Sequence, residues 1–158
     1  MTELIAPDDL EARIVGTTID PVTLLSTDYF NHFNEIIMLL GMLPDMPDMM
    51  PEIDAWEFLT YEQHFAASGL GFAPLAIEAY AFAPSPFRRP FDALVEGMRD
   101  IVDLTRSRLR RLLERDDMDG FGTLAIKASS DLQSMVDTGS AIVHGGRSMD
   151  QSAVDDLF

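Results

Sequence analysis

The residues best suited to chemistry in this 158-residue sequence are three histidines, a run of arginines and an acidic-apolar segment at residues 150–158. There is no cysteine, so thiolate nucleophiles, thiolate metal sites and disulfides drop out together. His32 and His64 each have a carboxylate nearby in sequence, Glu35 and Glu62. Helical proteins assemble metal sites from imidazoles and carboxylates on facing helices, which makes His32, Glu35 and His64 the candidate ligand set, with His144 as a third imidazole. The di-iron pattern, however, needs Glu and His at i and i+3 twice, and no Glu-x-x-His occurs. A structural role for the histidines is therefore expected, with no cofactor. No Gly-x-Ser-x-Gly elbow and no glycine-rich phosphate loop appears.

Charge narrows the partner class. The net charge is −16, and residues 1–87 carry fourteen acids against the single base Arg13. Residues 88–115 reverse this with eight arginines against five acids, and residues 116–158 return to eight acids against two bases. Nucleic acids and anionic lipids are bound by Lys and Arg that neutralise phosphates, so neither is an expected partner. Arg106, Arg108, Arg110, Arg111 and Arg115 form a basic island. Pairing with acids of neighbouring helices, or solvation of an exposed face, is the expected use, and an anionic partner surface is the alternative.

The elements that must position these groups are helical. Phe30, Phe33, Ile36, Ile37, Leu40 and Leu43 recur at three- and four-residue steps, which predicts a helix over 28–43. Pro44, Pro47 and Pro51 interrupt it, and a second helix is predicted from Pro51 through Trp56, Leu59 and Phe65 to Ser68, ended by Gly69 and Gly71. Pro74 starts a short helix through Tyr80 that closes at 83–86; the aromatic stretch 80–87 is expected to pack against the helices rather than line a pocket. Pro90 is predicted to open the longest helix, with its stripe running from Phe91 to Leu113. Asp119 is the predicted cap of a last helix through Val143. The tight acidic turn at 116–120 forces these last two helices to lie antiparallel. No run of alternating β-branched residues and no internal repeat occurs.

At 47% hydrophobic residues the chain can fill one sizeable core. The fold class predicted is all-α, an antiparallel four-helix bundle with short accessory helices over 1–144. A flexible hinge follows at 145–149, then the amphipathic peptide 150–158. No signal-like start and no apolar run of membrane-spanning length is present, so the expected location is cytoplasmic.

Wound as a helix, Ala153, Val154, Leu157 and Phe158 share one face, Asp150 can cap the start, and Asp155 and Asp156 lie off that face. Nine residues cannot hold a helix alone in water, so such a segment docks on its own body or on a partner. It resembles the peptide by which the chemotaxis phosphatase family CheZ and the flagellar switch family FliM bind the response regulator CheY. That pattern is approximately Ser-Gln, two variable residues, Ile or Val, Asp, one residue, Leu, then Leu or Phe. Gln151, Val154, Asp155, Leu157 and Phe158 match it, and Asp150 replaces the serine with another capping residue.

The resemblance implies a helical adaptor that captures a CheY-like receiver domain. Val154, Leu157 and Phe158 would be its anchors, and Asp155 would face basic residues of the regulator. The phosphatase family also carries Asp and Gln four residues apart on its catalytic helix. Here Met135 follows Asp131 at that spacing, and only the reversed pair Gln133 and Asp137 offers an amide beside a carboxylate. Dephosphorylation of an aspartyl phosphate through Gln133 and Asp137 is thus a secondary expectation. A homodimer through the apolar helix faces is left open, and a metal-binding bundle or enzyme using His32, Glu35 and His64 is the rival function.

Overall fold

Proline, glycine and capping residues divide the chain into seven α-helices among the described residues, 5–145 of a computed structural model. They are α1 (Leu10–Arg13), α2 (Asn31–Met42), α3 (Met50–Ala55), α4 (Tyr61–Ser68), α5 (Ala73–Ala81), α6 (Ser85–Glu114) and α7 (Met118–Val143). A 3-10 turn at Thr27–Phe30 leads into α2, and the extended backbone among these residues amounts to one isolated bridge, Ile19 to Ser26. The chain is all-α. Residues 146–158, including most of the expected hinge and the whole amphipathic peptide, lie outside the described residues.

The described residues group into two compact units. One holds the chain up to Phe30, Leu59–Ala93 and the residues from Asp137 onward; the other holds Asn31–Phe58 and Leu94–Val136. In the second unit, Ser129 Oγ donates to the Ile37 carbonyl at 2.8 Å, and a methyl on Gly122 would meet Pro44 Cβ at 3.3 Å. Numbers rise along α2 as they fall along α7, so these helices run antiparallel. A methyl on Gly97 would likewise lie 3.3 Å from Met135 Cε, which sets α6 antiparallel to α7 around the 115–117 turn. Phe33, Ile36, Leu40, Met98, Leu109, Phe121 and Leu132 are buried there. The first unit buries Leu10, Leu25, Tyr29, Phe65, Phe91 and Val143.

Three boundaries differ from the sequence reading. The helix expected over 51–68 is two helices, because Trp56 turns extended at φ −64°, ψ 129°. The restart is encoded locally: Thr60 Oγ1 accepts from Gln63 N at 3.2 Å while Gln63 Oε1 accepts from Thr60 N at 2.9 Å, a reciprocal box that begins α4. Gly69, at φ 75°, ends it. Replacing Thr60 by alanine is expected to lower stability by about 1 kcal/mol, read as a shift in the urea midpoint, because the Gln63 N–H at the start of α4 loses its side-chain acceptor.

The longest helix starts at Ser85 and not at Pro90. Pro86 occupies a first-turn position where no donor is needed, and Phe87 and Arg88 N–H close on the Pro84 carbonyl at 3.0 and 2.9 Å. Pro90 sits inside the helix, and it is exposed, as is Pro86, whose carbonyl loses its helical donor. Water can take that carbonyl, so the proline is tolerated. At the start of α7 the cap is Asp117, whose Oδ1 accepts from Gly120 N at 2.9 Å; Asp119 lies within the helix.

Candidate functional site

Each unit concentrates polar chemistry around an aromatic group. In the second unit the group is Trp56. Its ring stacks on His32 at 4.6 Å and 20°, its Nε1 donates to the His32 carbonyl at 3.1 Å, and the Arg106 guanidinium lies 5.4 Å from the ring centre. Arg106 Nε donates to the Ile53 carbonyl at 3.0 Å, and its Nη2 donates to the Trp56 carbonyl. These acceptors lie in the last turn of α3 and at its cap, where helical carbonyls have no donor of their own. Arg110 pairs with Asp54 on the same helix, and the Arg99 guanidinium covers Phe58 at 4.7 Å. Part of the basic island is therefore structural, the planar fork suiting two carbonyls at once. Arg108, Arg111 and Arg115 are exposed and form no ion pair with a described residue.

In the first unit three tyrosines meet. Tyr29 is fully buried with its ring 5.4 Å from Tyr61 and 6.0 Å from Phe91, and its hydroxyl donates to the Leu59 carbonyl at 2.8 Å. Tyr61 stacks on Tyr80 at 4.4 Å, and its hydroxyl oxygen accepts from Ser26 N at 2.9 Å. Burial pushes the Tyr61 phenol well up. Tyr80 is pushed up as well, first by burial and then by its 2.6 Å donation to Asp92, with the Arg88 guanidinium 4.2 Å from its ring. The Tyr61 and Tyr80 phenols, both pushed up, stay neutral as acceptor and donor, which suits a rigid aromatic wedge rather than a tyrosinate nucleophile.

His64 joins this group edge-on to Tyr29 at 5.6 Å and to Phe65 at 5.1 Å. Burial lowers its pKa below the ordinary 6.5, against the opposing pull of a hydrogen bond and charge from Asp28. Below pH 6.5 the unfolded chain takes up a proton that the folded state resists, so stability falls with pH in that window. Substituting His64 by phenylalanine is expected to flatten the stability profile below about pH 6.5; an unchanged slope in urea titrations would show that His64 is not its source.

The proposed metal ligands do not form a site. His32 lies against Trp56 in one unit and His64 against Tyr29 in the other, while His144 Nδ1 lies 3.7 Å from Asp20 Oδ2. Glu35 is exposed on α2, and among the described residues no three of His, Asp or Glu could hold a metal ion. The aromatic packing of both imidazoles accounts for them. Gln133 and Asp137 are both exposed on α7, one turn apart. An open depression of about 480 Å³ in the first unit is lined by Arg13, Gly71, Pro74, Leu75 and Glu78, with Arg13 and Glu78 joined at 2.7 Å.

Sequence reasoning missed how the end of α7 is held. Asp20 Oδ1 accepts from Val22 N and Thr23 N at 2.8 and 3.0 Å, Leu24 takes φ 62°, and Thr23 Oγ1 donates to the Val143 carbonyl. A leucine in the left-handed region costs about 1 kcal/mol and persists because its surroundings hold it. The Asp20-Pro21 pair marked a turn, but which carbonyl Thr23 would meet depends on a residue 120 positions away. The end of α7 is thus tied to the 20–24 turn. Gln151, Val154, Asp155, Leu157 and Phe158 lie outside the described residues.

These features define a class, an all-α protein with two aromatic-centred helical units, and no helix among the described residues is long and apolar enough to cross a membrane. No protein-family model, no curated protein and no solved structure matches the chain.

Proposed function

We propose that this protein is a bacterial signalling adaptor that captures the receiver domain of a CheY-like response regulator through residues 150–158. The observation that carries the reading is the set Gln151, Val154, Asp155, Leu157 and Phe158, five residues at the defining positions of a receiver-binding peptide. A helical body fits that role as the peptide's carrier: the α2–α7 and α6–α7 pairings support the body as an antiparallel four-helix bundle with short accessory helices. The clamp of Thr23 on the Val143 carbonyl supports a defined point of departure for the chain. Val154, Leu157 and Phe158 supply the apolar anchors, and Asp155 supplies charge for a basic rim.

The adaptor reading takes capture, not hydrolysis, as the activity. Gln133 and Asp137 are the only residues offered for dephosphorylation, and water activation needs an amide in a defined geometry beside the aspartyl phosphate. Titrating a fluorescently labelled 148–158 peptide against chemotaxis-type receiver domains, phosphorylated and unphosphorylated, tests the reading. Saturable binding lost on replacing Leu157 and Phe158 by alanine is the expected result. Absence of binding to every receiver ends it.

A further inference from the structure

Within the second unit, the exposed face of α6 carries its charges sorted by sign. Taking Leu104 as the centre, Asp100 and Glu96 lie four and eight residues toward the N-terminus, and Arg108 and Arg111 lie four and seven residues toward the C-terminus. At roughly 3.6 residues per turn, the five fall within an arc of about 120°. All are exposed, Leu104 at 52%, and the half-buried Ile101 and Leu112 border them. Arg115 adds a third base one turn beyond Arg111.

None of these charges forms an ion pair with a described residue. The arginines of α6 that serve the fold lie off this face: Arg106 holds two carbonyls at the end of α3, and Arg110 pairs with Asp54. Like charges one turn apart repel, so Glu96 beside Asp100, and Arg108 beside Arg111, each disfavour the helix in isolation. Interspersed signs would relieve that repulsion. Sorted signs suit a surface that pairs with its own inverse.

We propose that this face is a self-complementary interface whose occupant is the same face of a second copy. A two-fold axis through Leu104, set across the helix, lays the two α6 helices antiparallel and makes the contact isologous. Along the helix the acids lie about 6 and 12 Å from the centre, and the arginines about 6 and 10.5 Å from it on the opposite side. The two-fold therefore brings Asp100 and Glu96 of each copy level with Arg108 and Arg111 of the other, with Leu104 against Leu104 between them. A parallel pair would set acid on acid and base on base, so the charges specify the orientation. The arginine stems can lie over the apolar centre while their heads reach the carboxylates. At −16 on each copy, long-range repulsion opposes association, so contact depends on a local patch of this kind. A single helix pair is at the small end of protein interfaces, which makes the dimer reversible. The inference uses no residue of 150–158 and stands or falls apart from receiver binding.

Sedimentation velocity on the full chain, from micromolar to submillimolar concentration at about 150 mM salt, tests it. A rise from monomer to dimer mass is expected. Arg108→Glu with Arg111→Glu, and separately Glu96→Lys with Asp100→Lys, should each raise the dissociation constant by about tenfold or more while the circular dichroism spectrum is retained. Mixing the two variants should restore the dimer, because an acidic face then meets a basic one. The chain's lack of cysteine gives a second reading: with Leu104→Cys, a short bismaleimide should join two copies, whereas Ile126→Cys, 50% exposed on α7, should give no such product. A chain monomeric throughout would leave the face to a partner of another kind and overturn the inference. So would a dimer that neither charge variant weakens, variants that fail to recover on mixing, or equal cross-linking at positions 104 and 126.

Discussion

Replacing Arg106 by alanine is expected to lower the unfolding free energy by about 3 kcal/mol. The side chain is only 15% exposed, and its guanidinium donates to the Ile53 carbonyl in the last turn of a six-residue helix and to the Trp56 carbonyl at its cap. A hydrogen bond from a charged donor contributes about 1.5–3 kcal/mol, and the orphaned carbonyls have no substitute in the protein. The ion pair with Asp103 adds little, because that carboxylate is 65% exposed. Arg106→Lys should recover less than half, since an ammonium cannot fork to two carbonyls. The single tryptophan reports the event: Trp56 is 7% exposed, and its emission should shift to the red in the alanine variant before global unfolding. A midpoint change equivalent to under about 1 kcal/mol with unchanged emission would mean that α3 is held by its apolar contacts alone.

Phe91→Ala carries the second large effect, about 3–5 kcal/mol. The ring is 1% exposed, with Phe30 at 5.6 Å, Tyr61 at 5.8 Å and Tyr29 at 6.0 Å. Removing it opens a cavity between side chains fixed by other bonds: Tyr29 by the Leu59 carbonyl and Tyr61 by Ser26 N. They cannot close the space without breaking those bonds, so the loss falls at the upper end of the range. Phe91→Leu keeps most of the volume and should cost under about 2 kcal/mol. Urea denaturation followed by near-ultraviolet circular dichroism of the tyrosines measures both, and equal effects for the two variants would contradict a jigsaw-packed cluster.

Much of this architecture was legible because it is local. The period of Phe30 to Leu43 gave α2 nearly to the residue, and Pro74 with the 83–86 stretch bounded α5. The break at Trp56 was not legible from period, since Ile53, Trp56 and Leu59 continue a three-residue step across it. What ends α3 is Arg106, fifty residues downstream, whereas the Thr60 and Gln63 box that begins α4 stood in the sequence and was overlooked. Pro90 misled because proline at a first helical turn is common, and the earlier Ser85-Pro86 start has the same signature.

The site divides in the same way. The histidines invited a metal reading because imidazole and carboxylate spacing is visible in sequence, while the aromatic rings that occupy them come from distant segments: Trp56 for His32 and Tyr29 for His64. The expectation that the arginines pair with neighbouring helices holds for Arg106 and Arg110, which reach α3. Arg108, Arg111 and Arg115 take the other expected form, an exposed solvated face, because α6 turns them away from α3 by roughly half a revolution.

The central claim rests on residues 150–158, and one comparison addresses it most directly. The full chain and a chain ending at Gly145 are titrated calorimetrically into the same panel of receiver domains. The account predicts saturable binding by the full chain and none by the shortened one, with both giving the same helical spectrum. Equal binding by the two, or binding by neither, would contradict it.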